Sequence, residues 1–176
     1  MPSNGDPLRI LIVTQFYYPD VTACAFRMHE TAQLLSKMGC DVSVVAGIPH
    51  KGTVGNAPID DGNVKVTRVE MVKYTGGGKW NYILHYLSFM WNAIKAGSAL
   101  EGNFDVVWAS SPPLFTGIAG WVIARKKAAR FCLDIRDIWP ESAVVAGQLS
   151  VESPMFKAAK IIEKWLYGAA QKITCV

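Results

Sequence analysis

Short apolar runs separated by helix-length segments constrain this chain more than any other feature. Leu8–Val13 is such a run, broken only by Arg9; Asp41–Ala46, Asp105–Ala109, Ala129–Asp134 and Lys172–Val176 are others. Runs of this length with little alternation suit strands buried on both faces. Between them lie stretches with helical spacing. Thr22–Met38 places Ala25, Met28, Ala32 and Leu35 on one face, with Gly39 as its terminator. Lys79–Leu100, a stretch opening at Ser110–Pro113 and running to about Lys127, and Ser153–Ala170 are the others. Val64–Val69 alternates and belongs at a less buried sheet edge. Gly47–Gly62 and Ile135–Ser150 read as loops. The recurrence of strand and helix predicts an α/β fold: a Rossmann-like, mostly parallel sheet with helices on both faces, in one domain over residues 1–176.

Composition narrows what such a domain touches. Apolar residues make up 51% of the chain and charged residues 18%, which excludes disorder and leaves apolar surface to account for. A net charge of +4 suits an anionic small ligand or an anionic lipid surface, and no nucleic-acid-binding motif is present. Cys24, Cys40, Cys132 and Cys175 are far apart, without metal-ligand spacing, and read as buried reduced thiols in a cytoplasmic protein. Met1–Pro7 lacks the pattern of a signal peptide, and no apolar stretch has the length of a membrane span.

Parallel open sheets place ligands beyond the carboxyl ends of their strands. The loops to search are therefore 14–22, 47–62, 110–113 and 134–148. In the first, Tyr18-Pro19-Asp20 leads into a helix that carries Arg27 near its start, where a cation opposes the macrodipole. An anionic ligand or a pair with Glu30 would answer that charge. There is no GxGxxG fingerprint. Ser110-Ser111-Pro112 closes a strand; it reads as a helix cap with proline at the first helical position, or as a hydroxyl or anion site in the same geometry. Asp134, Asp137 and Glu141 flank Arg136 in the densest polar stretch beside a strand. Such a cluster can hold sugar hydroxyls, orient an acceptor or relay a proton; alternatively Trp139 and Pro140 fix a salt-bridged loop.

Tyr82–Ile94 is apolar at ten of thirteen positions, with His85, Ser88 and Asn92 as its one polar stripe. Two apolar faces follow, one of Ile83, Leu84, Leu87, Trp91 and Ile94, the other of Tyr82, Tyr86, Phe89 and Ala93. A helix on a sheet needs only one. Tyr82, Tyr86 and Phe89 are accordingly candidates for peripheral membrane contact, with burial against a loop or a protein surface as the alternative. Arg125, Lys126, Lys127 and Arg130 complement a helix end or meet anionic lipid.

Taken together, the segments Ile10–Pro19 with Arg27, Gly47-Ile48-Pro49-His50, Trp108–Pro113 and Asp134–Ser142 resemble the N-terminal domain of family-4 glycosyltransferases of the GT-B fold. The nearest likeness is to the bacterial cell-surface polysaccharide subgroup typified by O-antigen fucosyltransferases, and it runs from Leu8 to Val176. The resemblance implies an acceptor-binding domain whose partner, a C-terminal domain absent from this chain, binds a nucleotide-sugar donor. It implies a retaining transfer without metal or other cofactor, to a lipid-linked saccharide, at the inner membrane face. Asp137 and Arg136 would be catalytic; Tyr18, Pro19, Arg27, His50, Ser110, Ser111, Asp134 and Glu141 would bind acceptor or donor. The fragment alone would be inactive. Two departures stand out. Asp20-Val21-Thr22-Ala23-Cys24-Ala25 holds no Gly-Gly pair for close donor-phosphate approach, and Arg136 occupies the place of a histidine ahead of Asp137. A non-catalytic saccharide- or partner-binding module and a GT-B-fold sugar-nucleotide epimerase are the alternatives.

Overall fold

The computed structural model describes residues 6–50, 62–73 and 79–175, with the side chains of residues 79, 80 and 82 left aside. Its strands are β1 (Arg9–Thr14), β2 (Asp41–Gly47), β3 (Lys65–Val69), β4 (Val106–Ser111), β5 (Arg130–Ile135) and β6 (Lys172–Cys175). All neighbours pair in parallel, in the order β3-β2-β1-β4-β5-β6. The alternating Val64–Val69 segment is an edge strand, as its pattern implies. The order reverses between β1 and β4. That reversal opens a crevice at the carboxyl ends of the two strands, the usual ligand position in open α/β sheets.

Helices cover both faces. The helix α1 (Ala23–Lys37) packs Met28 and Ala32 on Ile10, Ile12, Val42 and Val44. Against the other face lie α2 (Lys79–Ala99), α3 (Leu114–Lys126) and α5 (Pro154–Ala169), over Leu11, Val13, Val107, Ala109, Phe131 and Leu133. Each fully buried aliphatic side chain of this kind contributes about 1.5–3 kcal/mol. At Gly120, a Cβ would lie 2.4 Å from the Cβ of Ala109, so the glycine lets α3 approach β4. Thr22 caps α1 by accepting from the Ala25 N–H, and Gly39 leaves it at φ +89°. Ser153 caps α5 in the same way, with Pro154 as first helical residue.

Four expectations need correction. Ser110 and Ser111 do not open α3; they are the last residues of β4, paired with Asp134 and Ile135. Two consecutive prolines hold the preceding residues extended, so the helix starts only at Leu114, with Pro113 as a cap that has no side-chain bond. The stretch after β5 is not all loop, because it contains the short helix α4 (Glu141–Val145). Among the thiols, Cys24 is buried, Cys40 and Cys132 are half-buried, and Cys175 is exposed because β6 is an edge strand. Cys132 stays protonated, since burial and then the Asp134 charge push its pKa up.

The fourth correction concerns α2. Its polar stripe faces inward. His85 is buried and its Nδ1 donates to the Val72 carbonyl at 2.6 Å. Ser88 Oγ accepts from the Val72 N–H, and Asn92 donates to the Glu70 carbonyl. The stripe thus satisfies backbone groups of the segment that follows β3, which have no ladder partner there. Phe89 is fully buried in the core and cannot touch a membrane; Tyr86 is half-buried, and the Tyr82 side chain lies outside the described residues. The exposed apolar residues of the helix are Leu84 and Trp91, at 50% and 66%. No helix among the described residues is long and apolar enough to cross a membrane.

Candidate functional site

A cavity of about 430 Å³ opens at the β1/β4 reversal. Its floor is the strand-end side: Gln15 and Phe16 after β1, Pro112 and Pro113 after β4, Arg136 and Asp137 after β5. Its walls are Ile83 and Tyr86 of α2, Leu114 and Phe115 of α3, Trp139, the inner face of α4 and one face of α5. Tyr86 and Phe115 stack nearly parallel with ring centroids 6.4 Å apart. A row of ring contacts at 5.3–5.4 Å continues from Tyr86 through His85 to His50, which also meets Phe16.

Gln15 is the polar anchor of the floor. Its Nε2 lies 2.8 Å from His85 Nε2, and His85 Nδ1 faces a carbonyl, so the proton sits on Nδ1 and Nε2 accepts from the glutamine. That fixes the orientation of the amide and leaves Oε1 buried without a hydrogen-bond partner. Arg136 is held by donation from Nη2 to the Pro112 carbonyl at 2.8 Å, while its buried Nε has no partner. Asp137 is exposed at the rim. The site therefore offers one fixed acceptor, one fixed donor and one solvated carboxylate beside apolar walls.

The remaining sequence candidates divide into two groups. Arg27 does not pair with Glu30; it reaches across to β5 and binds both carboxylate oxygens of Asp134. Asp134 is 1% exposed and also accepts from Ser110 Oγ at 3.1 Å and Thr174 Oγ1 at 2.9 Å, and Trp108 Nε1 donates to that threonine. The charge of Arg27 near the start of α1 is thus answered inside the protein. Asp134, Arg27 and Ser110 form a structural network tying α1, β4, β5 and β6, and none of them lines the cavity. Ser111 is buried and accepts from the Arg136 N–H through its carbonyl. Tyr18, Pro19 and His50 belong to loops that Arg68 and Asp20 fasten. Arg68 donates to the carbonyls of Gly47 and Tyr18, and Asp20 accepts from the His50 N–H at 2.7 Å. The Tyr18 ring stacks on His29 with centroids 4.9 Å apart.

Glu141 faces away from Arg136, toward α5. Lys160 bridges it to the buried Glu163, which in turn accepts from the Tyr167 hydroxyl at 2.9 Å. Burial and then Glu163 push the tyrosine pKa up to about 12, so it remains a donor at physiological pH. The Lys160 hydrogen bond holds the Glu141 carboxyl below its ordinary value of 4.5. Its stabilising contribution is full above that value and is lost as the pH falls through the lowered one. Both partners are over a third exposed, so the pair contributes under about 1 kcal/mol. Unfolding titrations from pH 7 to pH 3 should show this small loss, and Lys160→Met should remove it.

The sequence did not single out Gln15, Phe115 or the cavity face of α5, and it gave Trp139 only a part in fixing the loop. Gln15 carries a usable signal, being the first residue past a buried strand, whereas the α5 face is ordinary helix in sequence. Among the described residues no group of three His, Cys, Asp or Glu side chains can hold a metal ion.

No curated protein matches the chain. The solved structures that match include MurG of Acinetobacter baumannii, with a TM-score of 0.51 at 15% identity, over 97% of this chain and 41% of that one. The likeness is one of fold, and the chain spans less than half of that protein's length. The model of the glycosyl transferase 4-like domain matches residues 22–176, nearly the whole chain. With a sheet reversal, a cavity at its mouth and that match over helices α1 to α5, the chain belongs to the glycosyl transferase 4-like family.

Proposed function

We propose that this chain supplies the acceptor side of a glycosyltransferase of cell-surface polysaccharide synthesis, and that a second, donor-binding unit completes the site. The observation that carries the proposal is the cavity at the β1/β4 reversal, with Arg136 in its floor and Asp137 at its rim. The donor is a nucleotide sugar and the acceptor a lipid-linked saccharide. In the transfer the acceptor hydroxyl oxygen bonds to the anomeric carbon, and the bond from that carbon to the donor phosphate breaks. The departing nucleotide takes the electron pair, and Asp137, positioned to accept from the hydroxyl, takes its proton. Retention of configuration is part of the proposal, and it requires the hydroxyl to attack on the same face of the anomeric carbon that the phosphate leaves. Metal is not required, because the phosphates are met by the donor unit.

The loop after β1 supports that division of labour. It offers no Gly-Gly pair, and its Tyr18 carbonyl and Asp20 carboxylate are occupied by Arg68 and His50. Leu84 and Trp91, with Lys95 exposed beside them, are the surface of α2 that would rest on an anionic membrane. Calorimetric titration of the chain with nucleotide-diphosphate sugars tests the assignment to the acceptor side. Binding weaker than about 1 mM is expected; micromolar binding would move the donor site onto this domain.

A further inference from the structure

One polar tie holds the α4 wall of the cavity to the rest of the domain. Arg136, ahead of α4, is fixed through its N–H to the Ser111 carbonyl and through Nη2 to the Pro112 carbonyl. Ser153, beyond it, caps α5. Between these anchors the backbone bonds are local. The Ser142 N–H donates to the Ile138 carbonyl, that of Val144 to Pro140, and those of Gln148 and Leu149 to Ala143. Among the described residues, the one hydrogen bond from residues 137–149 to another element is that of Glu141 with Lys160 of α5, 2.6 Å long. A helix of five residues is not stable by itself. Packing seats this one weakly: only Ala143 is buried, and Val145 is 90% exposed. Trp139 packs on the core as a pivot, and Gly147 turns the chain beyond the helix at φ +69° in open space.

Lys160 is suited to that task. It also pairs with the buried Glu163, which accepts from the Tyr167 hydroxyl, so the ammonium is held on α5 before it meets Glu141. Less side-chain freedom is then lost in the second bond. Glu141 gives it Oε1 alone, its Oε2 being buried without a partner. What α4 sets in turn is the mouth of the cavity. Ser142, Ala143 and Ala146 line it, and the Ser142 N–H fixes the carbonyl of Ile138, the neighbour of Asp137. We infer that Glu141, Lys160 and Glu163 form a clasp that seats α4 on α5 and so sets the cavity mouth and the place of Asp137 in it. Glu141 and Lys160 are positioning residues, since neither lines the cavity and both act through α4. The effect on transfer rests on the proposed function; the seating of α4 does not. A displacement of about 1 Å near a reacting group costs up to about a hundredfold in rate, so a pair that adds little stability still governs turnover.

Amide hydrogen exchange of the chain, followed peptide by peptide, tests the seat. Glu141→Ala should speed exchange at residues 142–149 by about twofold to fivefold, the range an exposed ion pair supports, with β1 and β4 unchanged. That variant also removes the acid from the first turn of α4. Lys160→Met combined with Glu163→Gln releases the clasp from the α5 side and leaves no buried carboxylate unpaired. It should reproduce the faster exchange. Lys160→Arg keeps both ion pairs and should exchange as wild type does. In the assembled enzyme the two releasing variants should lower kcat by at least about threefold with the nucleotide-sugar KM unchanged, and Lys160→Arg should retain the wild-type kcat. Wild-type exchange at residues 142–149 in the double variant, or a kcat that neither releasing variant moves, overturns the inference. Failure of the function reads differently: wild type then transfers nothing, while the exchange rates still decide the clasp.

Discussion

Asp134→Ala should lower the unfolding free energy by about 1.5–3 kcal/mol, the range for losing hydrogen bonds to a charged group, because the Arg27 side chain left behind is 29% exposed and regains part of its hydration. The carboxylate is 1% exposed and accepts from Arg27, Ser110 and Thr174, so four elements lose a common anchor at once. Denaturant unfolding measures the loss. Asp134→Asn should cost less, because the amide oxygen still accepts while the charge is gone. Since Asp134 does not line the cavity, its substitution should reduce the amount of folded protein without changing the ligand affinity of what remains folded. An alanine variant as stable as wild type would contradict the network.

Asp137→Asn should have the opposite signature. The residue is exposed and its loss should leave stability within about 0.5 kcal/mol of wild type, as for surface positions generally. In the assembled enzyme it should cut transfer by more than tenfold, because an amide accepts a hydrogen bond but takes no proton at neutral pH. The measurement is initial rate at saturating acceptor, with acceptor affinity determined alongside. A rate equal to wild type would remove Asp137 from the chemistry.

These two aspartates lie three residues apart, and the sequence treats them alike. The fold is legible because each strand is a short apolar run and each helix has its own face; the strand order is not, because right-handed crossovers leave several orders open. Element ends are legible where a cap is local, as at Thr22 and Ser153, and fail at Ser110–Pro113, where consecutive prolines keep the chain extended. The site divides differently. Arg136 and Asp137 could be placed beside the cavity from sequence because they follow a strand directly. The partners of Arg27 and Glu141 are not, because Asp134 is 107 residues from Arg27 and Lys160 lies on a helix with no local mark. The α2 stripe misleads for a physical reason. Polar residues on an apolar helix usually face water, but here they satisfy the backbone beyond β3, which turns Phe89 inward and leaves Leu84 and Trp91 outside.

The transfer reaction itself tests the central claim most directly. The chain is incubated with a labelled nucleotide sugar and a lipid-linked saccharide acceptor, with and without a donor-binding domain of the same family added or fused after residue 176. The account predicts no glycosylated product from the chain alone and product when the donor unit is present, abolished or strongly reduced by Asp137→Asn. Robust turnover by the isolated 176 residues, or no product with any donor unit and any acceptor, lipid or soluble, would contradict it.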